Sequence, residues 1–239
     1  MDALNIRGLV KRYGDFEAVA GLDFSVREGE IFALVGPNGV GKSTTLKMIS
    51  TILTPTAGSI SVFGLDTVVD AHAVRGVISY LPEEAGAYKN LTGRDYLDFM
   101  AMVFLRDKSR AAEAVAYGAG LSGLGARLDD KIKTYSKGMA RKLLLARAVM
   151  IKPRLAILDE PTSGLDIVNG YEIRKTIKDL AAGGMTFLIS SHNMAEIEFL
   201  SGRIGVINKG RLLACDTPAA LKSQFGTEDL EEVFVRLTQ

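Results

Sequence analysis

The sequence predicts an α/β protein with a mostly parallel core sheet, and three observations carry that prediction. Short, largely apolar runs recur along the chain, at Ile31–Val35, Leu155–Leu158, Thr186–Ile189 and Ile204–Ile207. Several are separated by stretches with helical spacing, and strand–helix–strand alternation buries a parallel sheet between helices. The longest apolar stretch, Leu143 to Ile151, is interrupted by Arg147 and falls far short of the ~18–20 residues of a membrane span. A length of 239 residues fits one large domain. Hydrophobic residues at 47% and charged residues at 24% exclude intrinsic disorder. The net charge is +1, from 29 basic and 28 acidic side chains, which argues against a protein that coats nucleic acid. The single Cys215 excludes an intrachain disulfide and a cysteine-built zinc site, as a reducing compartment would favour. Met1 to Leu9 mixes polar and apolar residues and lacks a signal-peptide core.

The elements follow in order. Leu4–Val10 and Leu22–Val26 alternate as strands, with turns expected at Gly14, Gly21 and Gly29. Ile31–Val35 runs straight into glycine, and Leu46, Ile49 and Leu53 then keep helical spacing over Lys42–Leu53. Val77–Leu81 is the next apolar strand. From Thr92 to Met150 no central strand is apparent; Asp95–Leu105, Ser109–Tyr117 and Lys137–Ile151 read as helices, so this stretch is expected to be a helical insertion. Two short amphipathic helices, Thr217–Phe225 and Asp229–Leu237, are expected at the tail.

Two motifs carry chemistry. Gly36-Pro37-Asn38-Gly39-Val40-Gly41-Lys42-Ser43 fits the phosphate-loop pattern, with Thr44 following, between a buried strand and a helix. Backbone N–H groups of such a loop wrap triphosphate oxygens, so side chains are absent where the chain passes closest, at Gly39 and Gly41. The helix that follows points its positive end at the same anion. Lys42 would reach the β- and γ-phosphates, and the Ser43 hydroxyl would ligate Mg²⁺. The second motif, Leu155-Ala156-Ile157-Leu158-Asp159-Glu160, is a buried strand ending in two carboxylates, where open α/β sheets bind ligands. Asp159 would hold Mg²⁺ through water, and Glu160 would polarise the attacking water.

The ordered set Tyr13, Gly36–Ser43, Glu83, Tyr135–Met139, Asp159–Glu160, Ser163–Asp166 and His192 resembles the ATP-binding cassette (ABC) ATPases over nearly the whole chain. The resemblance implies a P-loop NTPase fold with an N-terminal antiparallel β subdomain, a nucleotide-binding core at 1–91 and 151–239, and a helical subdomain at 92–150, all in a single domain of residues 1–239. It implies that Tyr13 stacks on adenine, and stacking tolerates other purines. Tyr135-Ser136-Lys137-Gly138-Met139 stands where the family has its LSGGQ signature. There Ser136 and the N–H groups near Gly138 would bind the γ-phosphate of nucleotide held by another subunit. His192 would contact the γ-phosphate, and Asp166 would align the opposing site across a dimer seam. Two departures stand out. Lys137 and Met139 replace glycine and glutamine, and Glu83 stands where glutamine is usual, as a metal contact that reports to the membrane partner.

The resemblance therefore implies an ATP-hydrolysing transporter subunit using ATP and Mg²⁺. Its partners would be a separate transmembrane permease and a second copy of itself or a homologous ATPase, in a head-to-tail nucleotide sandwich. It would sit in the cytoplasm at the inner face of the membrane, with no nucleic acid expected. Phrases such as Ser190-Ser191-His192-Asn193 and Leu230-Glu231-Glu232-Val233-Phe234 look like the bacterial branch that extrudes sodium and drugs. The alternative, a non-transport ABC ATPase on DNA or ribosomes, is disfavoured. The gap of roughly 90 residues between phosphate loop and signature is too short for a long coiled coil, and only one cassette is present. A phosphate-loop kinase would leave the signature segment and Glu160 unexplained. Glycine is in excess at 25 residues, but only Gly36, Gly39, Gly41, Gly138 and Gly164 fall in nucleotide-facing motifs. Others, such as Gly29, Gly58, Gly183-Gly184 and Gly210, are expected in turns.

Overall fold

A computed structural model describes all of residues 1–239. Strands β1 (Asp2–Tyr13) and β2 (Phe16–Arg27) form a hairpin, followed by β3 (Ile31–Val35) and helix α1 (Lys42–Ile49). Next come β4 (Ala57–Val62), β5 (Leu65–Asp66), α2 (Ala71–Arg75) and β6 (Ile78–Leu81). Between β6 and the next strand lie α3 (Gly93–Leu105), α4 (Lys108–Ser122), two 3-10 turns at Gly125–Asp129 and Ile132–Thr134, and α5 (Lys137–Val149). The chain closes with β7 (Leu155–Asp159), α6 (Ile167–Ala182), β8 (Thr186–Ser191), α7 (Met194–Leu200), β9 (Arg203–Asn208), β10 (Arg211–Asp216), α8 (Pro218–Phe225) and α9 (Leu230–Thr238).

The strands make two sheets. One is antiparallel in the order β2-β1-β4-β5; the other has six strands in the order β10-β9-β3-β8-β7-β6. In the second sheet β3 runs parallel to both β8 and β9, β7 lies parallel to β6 and β8, and β10 is the antiparallel edge. The strand period of two sorts the core onto two faces. Ala156, Leu158, Phe187 and Ile189 face a core shared with α3 to α6, whereas Leu155, Ile157 and Leu188 face the antiparallel sheet and α1. A third cluster packs Ala33, Val35 and Ile204 against α7, α8 and α9. Every residue of β3, β7 and β8 is buried, which is why these strands read as largely apolar runs, with polar residues only at their ends.

Some expectations need correction. Gly21 lies inside β2, where the pairing slips between Leu9↔Leu22 and Val10↔Ala20. Gly58 is also a strand residue: a Cβ there would stand 2.3 Å from the Gly8 carbonyl oxygen, so β1 and β4 require the bare backbone. Helix α1 ends at Ile49, short of Leu53, because Thr51 turns into the left-handed region at φ 61. Helix α5 likewise ends at Val149 rather than Ile151, ahead of Lys152 at φ 52 and Pro153. Strand β7 ends on Asp159, so Glu160 is the first residue of the turn and not the end of the strand.

Candidate nucleotide site

The parallel register sets the site. Leu34 and Val35 pair with Ser190 and Ser191, and Asp159 pairs with Ser190. The carboxyl ends of β3, β7 and β8 therefore deliver the phosphate loop, the two carboxylates and His192 to one edge, as the rule for open α/β sheets requires. The loop leaving Val35 is shaped by its own backbone. A Cβ on Gly36 would stand 2.3 Å from the Ile207 carbonyl oxygen, and one on Gly41 2.4 Å from that of Ala18. Gly41 also has φ 106, outside the range of L side chains. Close packing against β9 and β2 thus demands glycine at two positions before any ligand is considered. No side chain caps α1, and its first backbone bond is Thr45 N to Gly41 O, which leaves the earlier N–H groups free for an anion.

Lys42 is only 6% exposed; its Nζ donates to the carbonyls of Gly36 (2.7 Å) and Pro37 (3.1 Å) and lies 3.9 Å from Glu160 Oε1. Burial lowers its pKa, opposed by the charges of Glu160, Asp159 and Glu83. Ser43 Oγ donates to Asp159 Oδ1 at 3.2 Å. The same Oδ1 accepts from Ser190 Oγ, and Asp159 Oδ2 accepts from the Tyr80 hydroxyl, whose pKa is raised by burial and by that carboxylate. Glu160 is 5% exposed, and its Oε1 lies 2.8 Å from His192 Nδ1. Burial raises the Glu160 pKa; the His192 hydrogen bond, the His192 charge and Lys42 pull against that rise, and Glu83 adds to it. Its backbone is left-handed at φ 47, and its N–H donates to both the oxygen and the Oγ of Ser190.

The other sequence-selected residues take positions around this centre. Glu83 follows β6 and accepts from Ser163 Oγ at 3.2 Å, so its contact is with the loop after β7 rather than with Ser43 or Asp159. Ser136 caps α5, its Oγ accepting from Met139 N. Asp166 caps α6 by accepting from Asn169, and those hydrogen bonds hold its carboxyl below the usual range. The two helix starts touch. A Cβ on Gly138 would meet the Asn169 side chain at 2.4 Å, and one on Gly164 would meet Lys137 Nζ at 2.1 Å. Lys137, which departs from the family's glycine, therefore lies over the Ser163–Asp166 loop. Tyr13 ends β1, is 49% exposed and carries Lys11 Nζ 5.3 Å over its ring. The same hairpin brings Ala18 and Val19 against Gly41, placing Tyr13 on the element that abuts the phosphate loop.

Sequence reasoning missed Ser190, Tyr80, Asn169 and Arg141. Ser190 had a signal, one of two serines that end the apolar run Phe187–Ile189; a basic residue on a helix, such as Arg141, had none. Among the side chains no group of three or more His, Cys, Asp and Glu could cage a metal. The hydroxyl and carboxylate oxygens of Ser43 and Asp159, already within hydrogen-bond distance, suit a hard cation that takes most of its remaining ligands from phosphate and water.

Fold and site together define a phosphate-loop nucleoside triphosphatase. The family model described as "ABC transporter" matches residues 19–163. The linearmycin resistance ATP-binding protein LnrL of Bacillus subtilis (strain 168) is 38% identical over 97% of this chain and 75% of its own length. The daunorubicin/doxorubicin resistance ATP-binding protein DrrA of Streptomyces peucetius is 38% identical over 95% of this chain and 69% of its own. A solved ATP-binding subunit of an ABC transporter superposes with a TM-score of 0.89 at 30% identity, covering 99% of this chain and 100% of that one. The chain belongs to the ABC transporter family, as an ATP-binding and ATP-hydrolysing subunit.

Proposed function

We propose that this subunit powers export through a separate membrane permease, by closing on ATP as a head-to-tail dimer with a second copy or a homologous subunit. The observation that carries the catalytic part is the convergence of Lys42, Ser43, Asp159, Glu160 and His192 on one sheet edge, through contacts of 2.8 to 3.9 Å. In this reading the N–H groups of residues 36–44 cradle the phosphates and Lys42 Nζ exchanges its carbonyl partners for phosphate oxygens. Glu160, kept in place by His192, takes the proton of the attacking water, while His192 orients the γ-phosphate. Ser43 and Asp159 would hold Mg²⁺, with Glu83 as a further ligand that senses it; the ion supplies neutralisation of phosphate charge when bound. Tyr13 supplies the stacking face for adenine. Ser136 and Gly138 reach the partner's γ-phosphate, and Asp166 fixes the seam.

The direction and the partner rest on different support. Two relatives carry drug-resistance names, which favours export. No helix of this chain is long and apolar enough to cross a membrane; in this reading the translocation path lies in the separate permease. The helical stretch 92–150 is read as the arm that meets it: α3 exposes Phe99, Met102, Val103 and Phe104, with Tyr88 edge-on to Phe99 at 5.6 Å. An apolar patch of that kind marks an interaction surface. The subunit would then sit at the cytoplasmic face of the membrane.

The test is the solution mass of Glu160→Gln with MgATP and with ADP. The expected result is a dimer with MgATP and a monomer with ADP; a monomer in both, in the presence of the permease in detergent, refutes the sandwich. Lys42→Ala should abolish tight triphosphate binding, and unaltered affinity would reject the phosphate-loop assignment. Glu83→Ala should weaken both Mg²⁺-dependent turnover and its stimulation by the permease.

A further inference from the structure

Arg141 lies one turn into α5 and is only 8% exposed, yet every one of its hydrogen bonds goes to a backbone carbonyl. Nε donates to Pro161 O at 2.8 Å. Nη1 donates to Pro82 O and Glu83 O, both at 3.1 Å. Nη2 donates to Asp159 O at 2.9 Å and to Glu160 O at 2.8 Å. A guanidinium has five N–H donors, so the five carbonyls use all of them. Burying a cation without such partners is strongly unfavourable, and the carbonyl dipoles here replace its water.

The carbonyls belong to two segments that this side chain bridges: the run after β6 that carries Glu83, and the end of β7 with its turn. Within that turn Glu160 is left-handed and precedes Pro161, where the chain prefers extended backbone. Such a conformation persists only if its surroundings over-determine it. Ser190 grips the Glu160 N–H from one side, and Arg141 grips its carbonyl from the other.

We infer that Arg141 is a positioning residue for hydrolysis: it fixes the backbone that carries Glu160 and ties it to the Glu83 segment and to the helix that opens with Ser136. The inference rests on Glu160 being the general base. A lysine has three donors and a point charge, so Arg141→Lys can satisfy at most three of the five carbonyls. Arg141→Lys and Arg141→Met are therefore expected to lower kcat by ~10–100-fold, because small misplacements of a catalytic group cost that much. The KM for ATP and metal-free nucleotide affinity should stay at the wild-type value, and the acid limb of the pH–kcat profile should move. Added to Glu160→Gln, Arg141→Lys should produce no further loss of the residual turnover. Activity is normalised to the folded fraction by nucleotide titration, so poor folding of Arg141→Met leaves Arg141→Lys as the deciding variant.

Three results would overturn the inference: wild-type kcat in Arg141→Lys, equal losses in nucleotide affinity and kcat, or an undiminished further loss on Glu160→Gln. A purely structural role would lower Tm and the active fraction while leaving the pH profile in place. If Glu160→Gln itself turns over normally, the base assignment falls. If Glu160→Gln is inactive and Arg141→Lys is normal, only the role of Arg141 falls.

Discussion

Replacing Ser190 with alanine isolates the support beneath the two carboxylates. Ser190 is fully buried; its Oγ donates to Asp159 Oδ1 and accepts from Glu160 N at 3.1 Å. The second of these bonds has a substitute, since Glu160 N also donates to the Ser190 carbonyl at 3.1 Å. The first does not, and a hydrogen bond to a charged group contributes ~1.5–3 kcal/mol. The expected loss of stability is thus about 2 kcal/mol, nearly all from the Asp159 bond. For a chain of this size that lowers Tm by roughly 4–8 °C. Asp159 keeps Ser43 and Tyr80 as partners but gains freedom to rotate, so the Mg²⁺ concentration for half-maximal hydrolysis should rise ~10-fold, the low end of effects on residues that orient metal ligands. Thermal denaturation gives the first number, a magnesium titration of ATPase rate the second. Nucleotide binding in excess EDTA serves as the control and should not change. Unchanged Tm together with unchanged magnesium dependence would refute the reasoning that Ser190 holds Asp159.

Other expectations follow from single contacts. Gly41→Ala places a methyl 2.4 Å from a carbonyl at a φ that alanine avoids, and should cost at least ~2 kcal/mol and abolish phosphate binding, read by denaturation and nucleotide fluorescence. Tyr13→Ala should weaken ATP and GTP alike by roughly 5–150-fold, the equivalent of ~1–3 kcal/mol of stacking, measured by competition binding. Because burial raises the Glu160 pKa, the acid limb of kcat should lie above the ordinary glutamate range, and His192→Ala should push it higher by removing the contact that holds it down. The stability sign is opposite to that of an ordinary paired carboxylate. With the folded pKa above the unfolded one, this group's contribution is full below the unfolded value and is lost as pH rises through the folded value, which pH-dependent denaturation of wild type against Glu160→Gln would reveal. Charging the α3 patch with Phe99→Glu should leave basal ATPase intact and abolish stimulation by the permease in a reconstituted assay.

The layout of this fold was readable wherever burial is two-sided. Strands β3, β7 and β8 appear as apolar runs because both faces are covered, and the phosphate loop was legible because its residue types are dictated by backbone approach. The elements that escaped are those with one wet face: β4 and β10 mix serine, glycine and charge, and α6 exposes Ile167, Val168 and Tyr171, which blurs its amphipathic stripe. Glu83 and Lys137 were visible as departures, but only the folded chain shows that both bear on the Ser163–Asp166 loop. Arg141 escaped because its partners are main-chain carbonyls, which no residue pattern spells out.

The strand order also constrains how the chain comes off the ribosome. Strand β3, from which the phosphate loop springs, has β8 and β9 as its only neighbours in the sheet. The turn entering β3 is tied to the start of β8 by Gly29 N donating to Thr186 Oγ1, across 157 positions of sequence. At ~5–20 residues per second of synthesis, that separation is a delay of roughly 8–30 s during which an apolar strand and its glycine loop are made but cannot be docked. The nascent nucleotide site therefore cannot be completed until β8 and β9 have been made, long after its own loop.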